Sequence, residues 1–169
     1  MRFFLFIAGC LFIFGCTSKK KNLSSTIRVN TSWLDSIRQS SDTSYVKKYS
    51  TGKFVNATYY VNNKQAIICQ VMKDSADTIR QIIISKNNKR NFVVEYYANG
   101  QLMAKLPLDT FGQYHGPSIY YYQNGRIESE GDYDHGLKKG GWENYTNEGK
   151  PAGKNEYDNN GNIIMQTVH

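Results

Sequence analysis

Four ten-residue stretches decide the reading of this chain: NFVVEYYANG at 91–100, GPSIYYYQNG at 116–125, GGWENYTNEG at 140–149 and AGKNEYDNNG at 152–161. They align without a gap at shifts of 25, 24 and 12. Each places a tyrosine (Tyr96, Tyr121, Tyr145, Tyr157) four residues before its closing glycine, and three place Asn immediately before that glycine. Between them, Gly112 and Gly116 match Gly136 and Gly140 at the same shift of 24. Self-similarity at such a period is the mark of a repeat architecture. Asn-Gly between runs of β-branched and aromatic residues is a hairpin turn with glycine in the left-handed conformation, which makes Gly100, Gly125, Gly149 and Gly161 the repeat turn residues. The apolar pattern favours a three-residue loop with a glycine bulge. At 98–100 this loop sets Tyr96 against Leu102 and Val94 against Ala104, so Phe92, Val94, Tyr96, Leu102, Ala104 and Leu106 are expected on one face. At 123–125 it groups Ile119, Tyr121, Ile127 and Tyr133 in the same way.

Upstream, from about residue 51 to 90, short β-branched and aromatic runs alternate with polar clusters such as Asn62-Asn63 and Lys86 to Lys89. Strands of five to eight residues with short connections pair with their neighbours, and no long periodic helix is present to cross between parallel strands. The expected fold is therefore all-β: an antiparallel meander of repeated hairpins forming an elongated, curved open sheet, with a short N-terminal helix or tether. The expected division is 1–15 signal peptide, 16–50 polar tether, 51–90 divergent hairpins and 91–169 repeat hairpins. Within the tether, Ser32 to Arg38 places Trp33, Leu34 and Ile37 at helical spacing, which suits a turn or two docked by Trp33 on the sheet.

With GxW followed by YxxxG, and with YxxG and GxxxG spacers at a period near 24, residues 91–169 resemble the MORN-repeat variant family, best at Gly140-Gly-Trp142-Glu-Asn-Tyr145. Ser118 and Val93 stand where the tryptophan falls in the two preceding units. The resemblance implies successive β-hairpins, occurrence among bacterial lipoproteins and exported proteins, and no catalytic residues.

The N-terminus supports export on its own. Arg2 precedes an apolar run from Phe3 to Phe14 that ends at Gly15-Cys16, the pattern of a signal peptide. As a helix the run would span roughly 18 to 20 Å, short of a bilayer core of about 30 Å. Ile13-Phe14-Gly15-Cys16 resembles a lipobox, which assigns Cys16 as the lipidated residue; Ile7-Ala8-Gly9-Cys10 is the competing match. Lys19 to Lys21 would follow the acyl chains at an anionic leaflet. The expected location is the bacterial envelope, at the outer rather than the inner membrane.

The 169 residues carry 21 Lys and Arg against 14 Asp and Glu, a net charge of +7. No basic helix interleaved with aromatics accompanies this excess, so nucleic acid is not an expected partner. Cys69, between Ile68 and Gln70, reads as a small buried hydrophobe. No HExxH, CxxC, GxSxG, P-loop or GxGxxG occurs, so no catalytic residue, cofactor or metal is assigned. His115 and His135 each precede a spacer glycine and read as exposed turn residues.

Two surfaces remain as binding candidates. Glu128, Glu130, Asp132 and Asp134 alternate along a strand and would share a face, either as a solvated row or as a contact for a basic partner or a cation. Tyr120 and Tyr122, with Trp142, would form an exposed aromatic strip for peptide or sugar, or else cross-strand ladders that stiffen a thin sheet. The expected role is a membrane-anchored envelope module that binds or assembles proteins. The alternative is an envelope hydrolase or carbohydrate-binding protein using the same aromatic and acidic face.

Overall fold

A computed structural model describes residues 32–50 and 52–169. The expected signal peptide, Cys10, Cys16 and Lys19 to Lys21 lie outside the described residues. One helix, α1 (Ser32–Ser40), precedes β1 (Thr43–Lys48), β2 (Asn56–Val61), β3 (Ile67–Lys73), β4 (Ile79–Lys86), β5 (Lys89–Tyr96), β6 (Leu102–Pro107), β7 (Gly116–Tyr121), β8 (Ile127–Asp134), β9 (Leu137–Tyr145), β10 (Pro151–Tyr157) and β11 (Ile163–Val168). The strands form a single antiparallel sheet in sequence order, open at β1 and β11. Each strand is paired only with its neighbours in sequence, so the sheet is a linear stack of hairpins. It also begins earlier than the composition suggests, because β1 falls inside the stretch expected to be tether; α1 is the short helix expected there, with Trp33 packed on the sheet.

One turn chemistry builds most of the meander. At Asn62, Asp74, Tyr97, Asp109, Tyr122, Thr146 and Asp158 the backbone N–H donates to the carbonyl four residues on, and the N–H three residues on donates back. This is the three-residue hairpin with a left-handed third residue. Turn starts are 12 or 13 residues apart, or 23 or 24 where a two-residue turn intervenes. Gly100, Gly125, Gly149 and Gly161 occupy the left-handed position with φ between 79° and 84°. In the upstream hairpins the same position holds Gln65 at φ 61° and Asp77 at φ 59°.

The core has two halves, one on each face. Ile82 and Val94 belong to a cluster with Leu34, Cys69, Val71 and Tyr96, onto which Trp33 and Ile37 of α1 pack. Their chain neighbours Ile83 and Val93 belong to a second cluster with Ala104 and Leu106. Adjacent strand residues point to opposite faces, so α1 covers one side of the sheet and the second cluster lies on the other.

Here the expected register needs correction. Tyr96 does oppose Leu102, but a bulge between Glu95 and Tyr96 sets Glu95 against Ala104 and Val94 against Lys105. The extra residue reverses the alternation, and Ala104 and Leu106 turn away from Val94 and Tyr96. A matching bulge between Tyr120 and Tyr121 pairs Tyr120 with Ser129 and Gly116 with Tyr133. Tyr133 therefore shares a face with Tyr120 and not with Ile119 and Tyr121.

Candidate functional site

The aromatic candidates are tied into the sheet, Trp142 fully buried and Tyr120 and Tyr122 partly so. Trp142 is fully buried and its Nε1 donates to the Asp132 carbonyl at 3.0 Å. Its ring meets Tyr133 edge-on at 5.1 Å and Tyr120 at 6.1 Å between centroids, and Lys138 Nζ sits 3.9 Å over it. The hydroxyls of Tyr120 and Tyr133 are hydrogen-bonded at 3.0 Å. Burial first, and this bond second, push the Tyr120 phenol well above its ordinary range. Tyr122 donates to the carbonyl of Tyr145 at 2.8 Å. Trp142 offers a ligand no surface, and the polar tips of Tyr120 and Tyr122 are already used, so these residues form a cross-strand ladder in place of an exposed strip.

Of the four carboxylates, Glu128 is separated from the rest. Glu128 falls at the bulge opposite Tyr120 and Tyr121, where the register skips from Ser129 to Ile127. Glu130 accepts a hydrogen bond from the Tyr145 hydroxyl at 2.8 Å. β8 runs in unbroken register against β7 from Ser129 to Tyr133, so Glu130 and Asp132 keep one face; the extra residues of a bulge on β9 set Asp132, which is exposed, across from Lys139. Asp134 is 2.8 Å from Lys139 Nζ, a bond that holds its carboxyl below the usual carboxylate range. Glu130, Asp132 and Asp134 thus share a face of β8, with Glu130 and Asp134 engaged by Tyr145 and Lys139, and only Glu128 is set apart by the bulge.

What the sequence treats as two ordinary turn histidines is brought together at one end of the sheet. The turn between β6 and β7 closes with Asp109 N–H donating to Gln113 O at 2.9 Å. Asp109 Oδ1 accepts the Phe111 and Gln113 amides at 2.8 and 3.0 Å. Its side chain is only 8% exposed, and Oδ2 lies 2.7 Å from His135 Nδ1. Burial alone would raise this carboxyl, but the His135 bond and the two amides outweigh it and hold Asp109 below the usual range. An ionised carboxylate only accepts, so Nδ1 of His135 carries the proton and donates.

His135 opens the two-residue turn from β8 to β9 at φ 48°, followed by Gly136 at φ 87°. The Gly136 amide is anchored on the Tyr114 carbonyl at 2.8 Å. His115 starts the approach to β7, and its ring stands 4.8 Å from that of His135 between centroids. Asp134 Oδ1 faces both rings, 3.3 Å from His115 Nδ1 and 3.7 Å from His135 Nε2. An open cavity of about 400 Å³ adjoins the turn, with Ile83, Arg90, Val93, Tyr114 and His135 in its wall. The period of 24 shifts Gly112-x₃-Gly116 onto Gly136-x₃-Gly140; the convergence of the histidines depends on how those turns stack side by side, and the sequence signals it only through their common position before a spacer glycine.

No protein-family model matches the chain, and no curated protein matches it. Among solved structures, it is similar to an S. aureus TarM mutant in complex with Fondaparinux, alpha-GlcNAc-glycerol and UDP. The identity is 13% and the TM-score 0.41, over 84% of this chain and 24% of that one. A second TarM structure gives 14% identity and a TM-score of 0.40, over 76% of this chain and 22% of that one. The chain spans about a quarter of the length of the structures it matches.

Proposed function

We propose that the chain is a membrane-anchored envelope lipoprotein, held through Cys16, whose MORN-like hairpin sheet serves as a binding and assembly module by adding a strand at its β11 edge. The composition of that edge is what supports this reading. β11 reads IIMQTV, without a single charged residue, and every position is exposed. Ile163, Ile164, Met165 and Val168 are between 53% and 79% exposed. Its outer side has no further strand among the described residues. An uncharged apolar edge of this kind is a template for another strand. The opposite edge, β1, carries Lys47 and Lys48, the type of charge that blunts such pairing.

The occupant proposed is the β11 of a second copy. Antiparallel pairing about a two-fold axis between Met165 and Gln166 would set Ile163 against Val168 twice and bring no like charges together. A photo-crosslinking residue placed at position 164 of the full chain in intact cells should give an adduct of two copies. Met165→Lys should abolish it, while a probe at position 46 should give none. Absence of the two-copy adduct, or an equal yield with Met165→Lys, overturns the assembly reading. Fatty-acid labelling tests the anchor separately: it should be lost in Cys16→Ala, and retention of label would move the anchor elsewhere.

A further inference from the structure

We propose that His115, Asp134 and His135 form a binding site for one divalent transition-metal ion of the zinc class, with Asp109 as the outer carboxylate that orients His135. The three donor atoms lie within 4.8 Å of one another. Two imidazoles and a carboxylate, with remaining positions open to water, are the donor set that borderline ions such as Zn²⁺ prefer. Metal–donor bonds of about 2.0 to 2.1 Å at tetrahedral angles put donors roughly 3.3 to 3.5 Å apart. The two Asp134 contacts, at 3.3 and 3.7 Å, are already near that spacing. Closing the remaining pair requires only rotation of side chains that are about half exposed.

Three features separate this cluster from a chance meeting of surface histidines. The Asp109–His135 bond at 2.7 Å engages Nδ1 and leaves Nε2 facing Asp134; a carboxylate behind a histidine is the usual support of a metal ligand. That carboxylate is nearly buried and further held by two backbone amides, so His135 is aimed by a rigid turn. Finally, His135 stands at a left-handed position, and the corresponding two-residue turn between β4 and β5 uses Asn87 and Asn88 there, at φ 53° and 62°. Asn and His both tolerate this conformation, so the turn holds His135 at a defined backbone angle. Lys139 is the group that opposes binding: it holds Asp134 Oδ2 at 2.8 Å and leaves Oδ1 for the ion.

The full chain, purified in detergent at pH 7.5, is titrated with Zn²⁺ by calorimetry and with Co²⁺ by visible absorption. One ion per chain is expected, with a Co²⁺ spectrum of low coordination number. His115→Ala and His135→Ala should each weaken binding at least 10-fold. Asp109→Asn should weaken it about 10- to 100-fold, as removal of a carboxylate behind a ligating histidine does elsewhere. Lys139→Gln should tighten binding several-fold by freeing Asp134, an effect that damage to the fold would not produce. His169→Ala should change nothing. Absence of one-to-one binding, or equal affinity in the His115→Ala/His135→Ala double variant, overturns the proposal.

Discussion

The hydroxyl of Tyr122 donates to the backbone carbonyl of Tyr145 at 2.8 Å, and that of Tyr97 donates to Tyr121 at the same distance, so the first repeat is bonded to the second and the second to the third at equivalent strand ends. Neighbouring repeats are therefore joined by side chains as well as by ladder hydrogen bonds. Tyr122→Phe keeps the ring and removes one bond to a half-buried carbonyl, a change worth about 1 kcal/mol. The melting temperature should fall by a few degrees with the fold intact. An unchanged melting temperature would show that the bond contributes nothing net.

The left-handed turn position predicts opposite signs for two glycine substitutions. Gly125→Val places a β-branched residue at φ 84° and should cost about 1 to 2 kcal/mol. Lys150→Val, outside that position, should cost less. Gln65→Gly, at φ 61° in an upstream hairpin, should instead stabilise by roughly 0.5 to 1 kcal/mol, because relief of strain exceeds the added chain entropy. Urea midpoints decide, and a loss of stability in Gln65→Gly contradicts the equivalence of the two turns.

Gln65 and Asp77 also explain how far the repeat was legible. Where glycine marks the turn, the period, loop length and meander follow from the sequence; where Gln65 or Asp77 adopts the same conformation, the hairpin is present and its signature is missing. Strand faces were less legible because a bulge costs only one residue. The bulge beside Tyr96 moves Ala104 and Leu106 to the other side, and no residue type there announces it. The same holds for Glu128, which a bulge takes out of the acidic alternation. Burial of Trp142 depends on Gly131, whose missing side chain leaves room for the indole, and no sequence motif announces that fit.

Gly131 supplies a direct test of that burial. A Cβ at this position would lie 2.6 Å from Trp142 ring atoms, in contact with a side chain that is fully enclosed. Gly131→Ala should destabilise by about 1 to 3 kcal/mol through overpacking, and Trp142→Ala by about 3 to 5 kcal/mol through the cavity it leaves. Near-ultraviolet circular dichroism and thermal melts of both variants measure this. Wild-type stability in Gly131→Ala would place the indole elsewhere.

Acid should weaken the sheet through its turns. The Arg80 bond holds the Asp74 carboxyl below its ordinary range, and backbone amides do the same for Asp158. A carboxyl depressed in the native state contributes stability above its unfolded value, near 3.9, and loses it as pH falls through the lower native value. Urea midpoints should therefore drop on going from pH 6 to pH 3, and Asp74→Asn should show a smaller drop. An identical drop in Asp74→Asn would remove the Arg80 pair from this account.

Alkali acts through Cys69, which is fully buried between the strands and α1. Burial pushes its thiol up to about 12, whereas an unfolded cysteine ionises near 8.5. The native state thus holds its proton longer than the unfolded state does. The sign follows: stability is fully present below about 8.5 and is lost as pH rises from there toward 12. Between pH 8.5 and 10 the loss from this group reaches about 2 kcal/mol. Tyr96, pushed up to about 12 by burial, adds its own loss only above its ordinary value near 10, so the lower window isolates the thiol. Denaturant midpoints at pH 8 and pH 10 should differ more for the native sequence than for Cys69→Ala, which starts from lower stability but lacks the ionisation. Thiol labelling read by peptide mass spectrometry supplies the kinetic counterpart: at pH 9 Cys69 should react only as fast as the sheet opens, and should react freely in urea. Rapid labelling of Cys69 in the folded chain would mean that α1 does not cover this face.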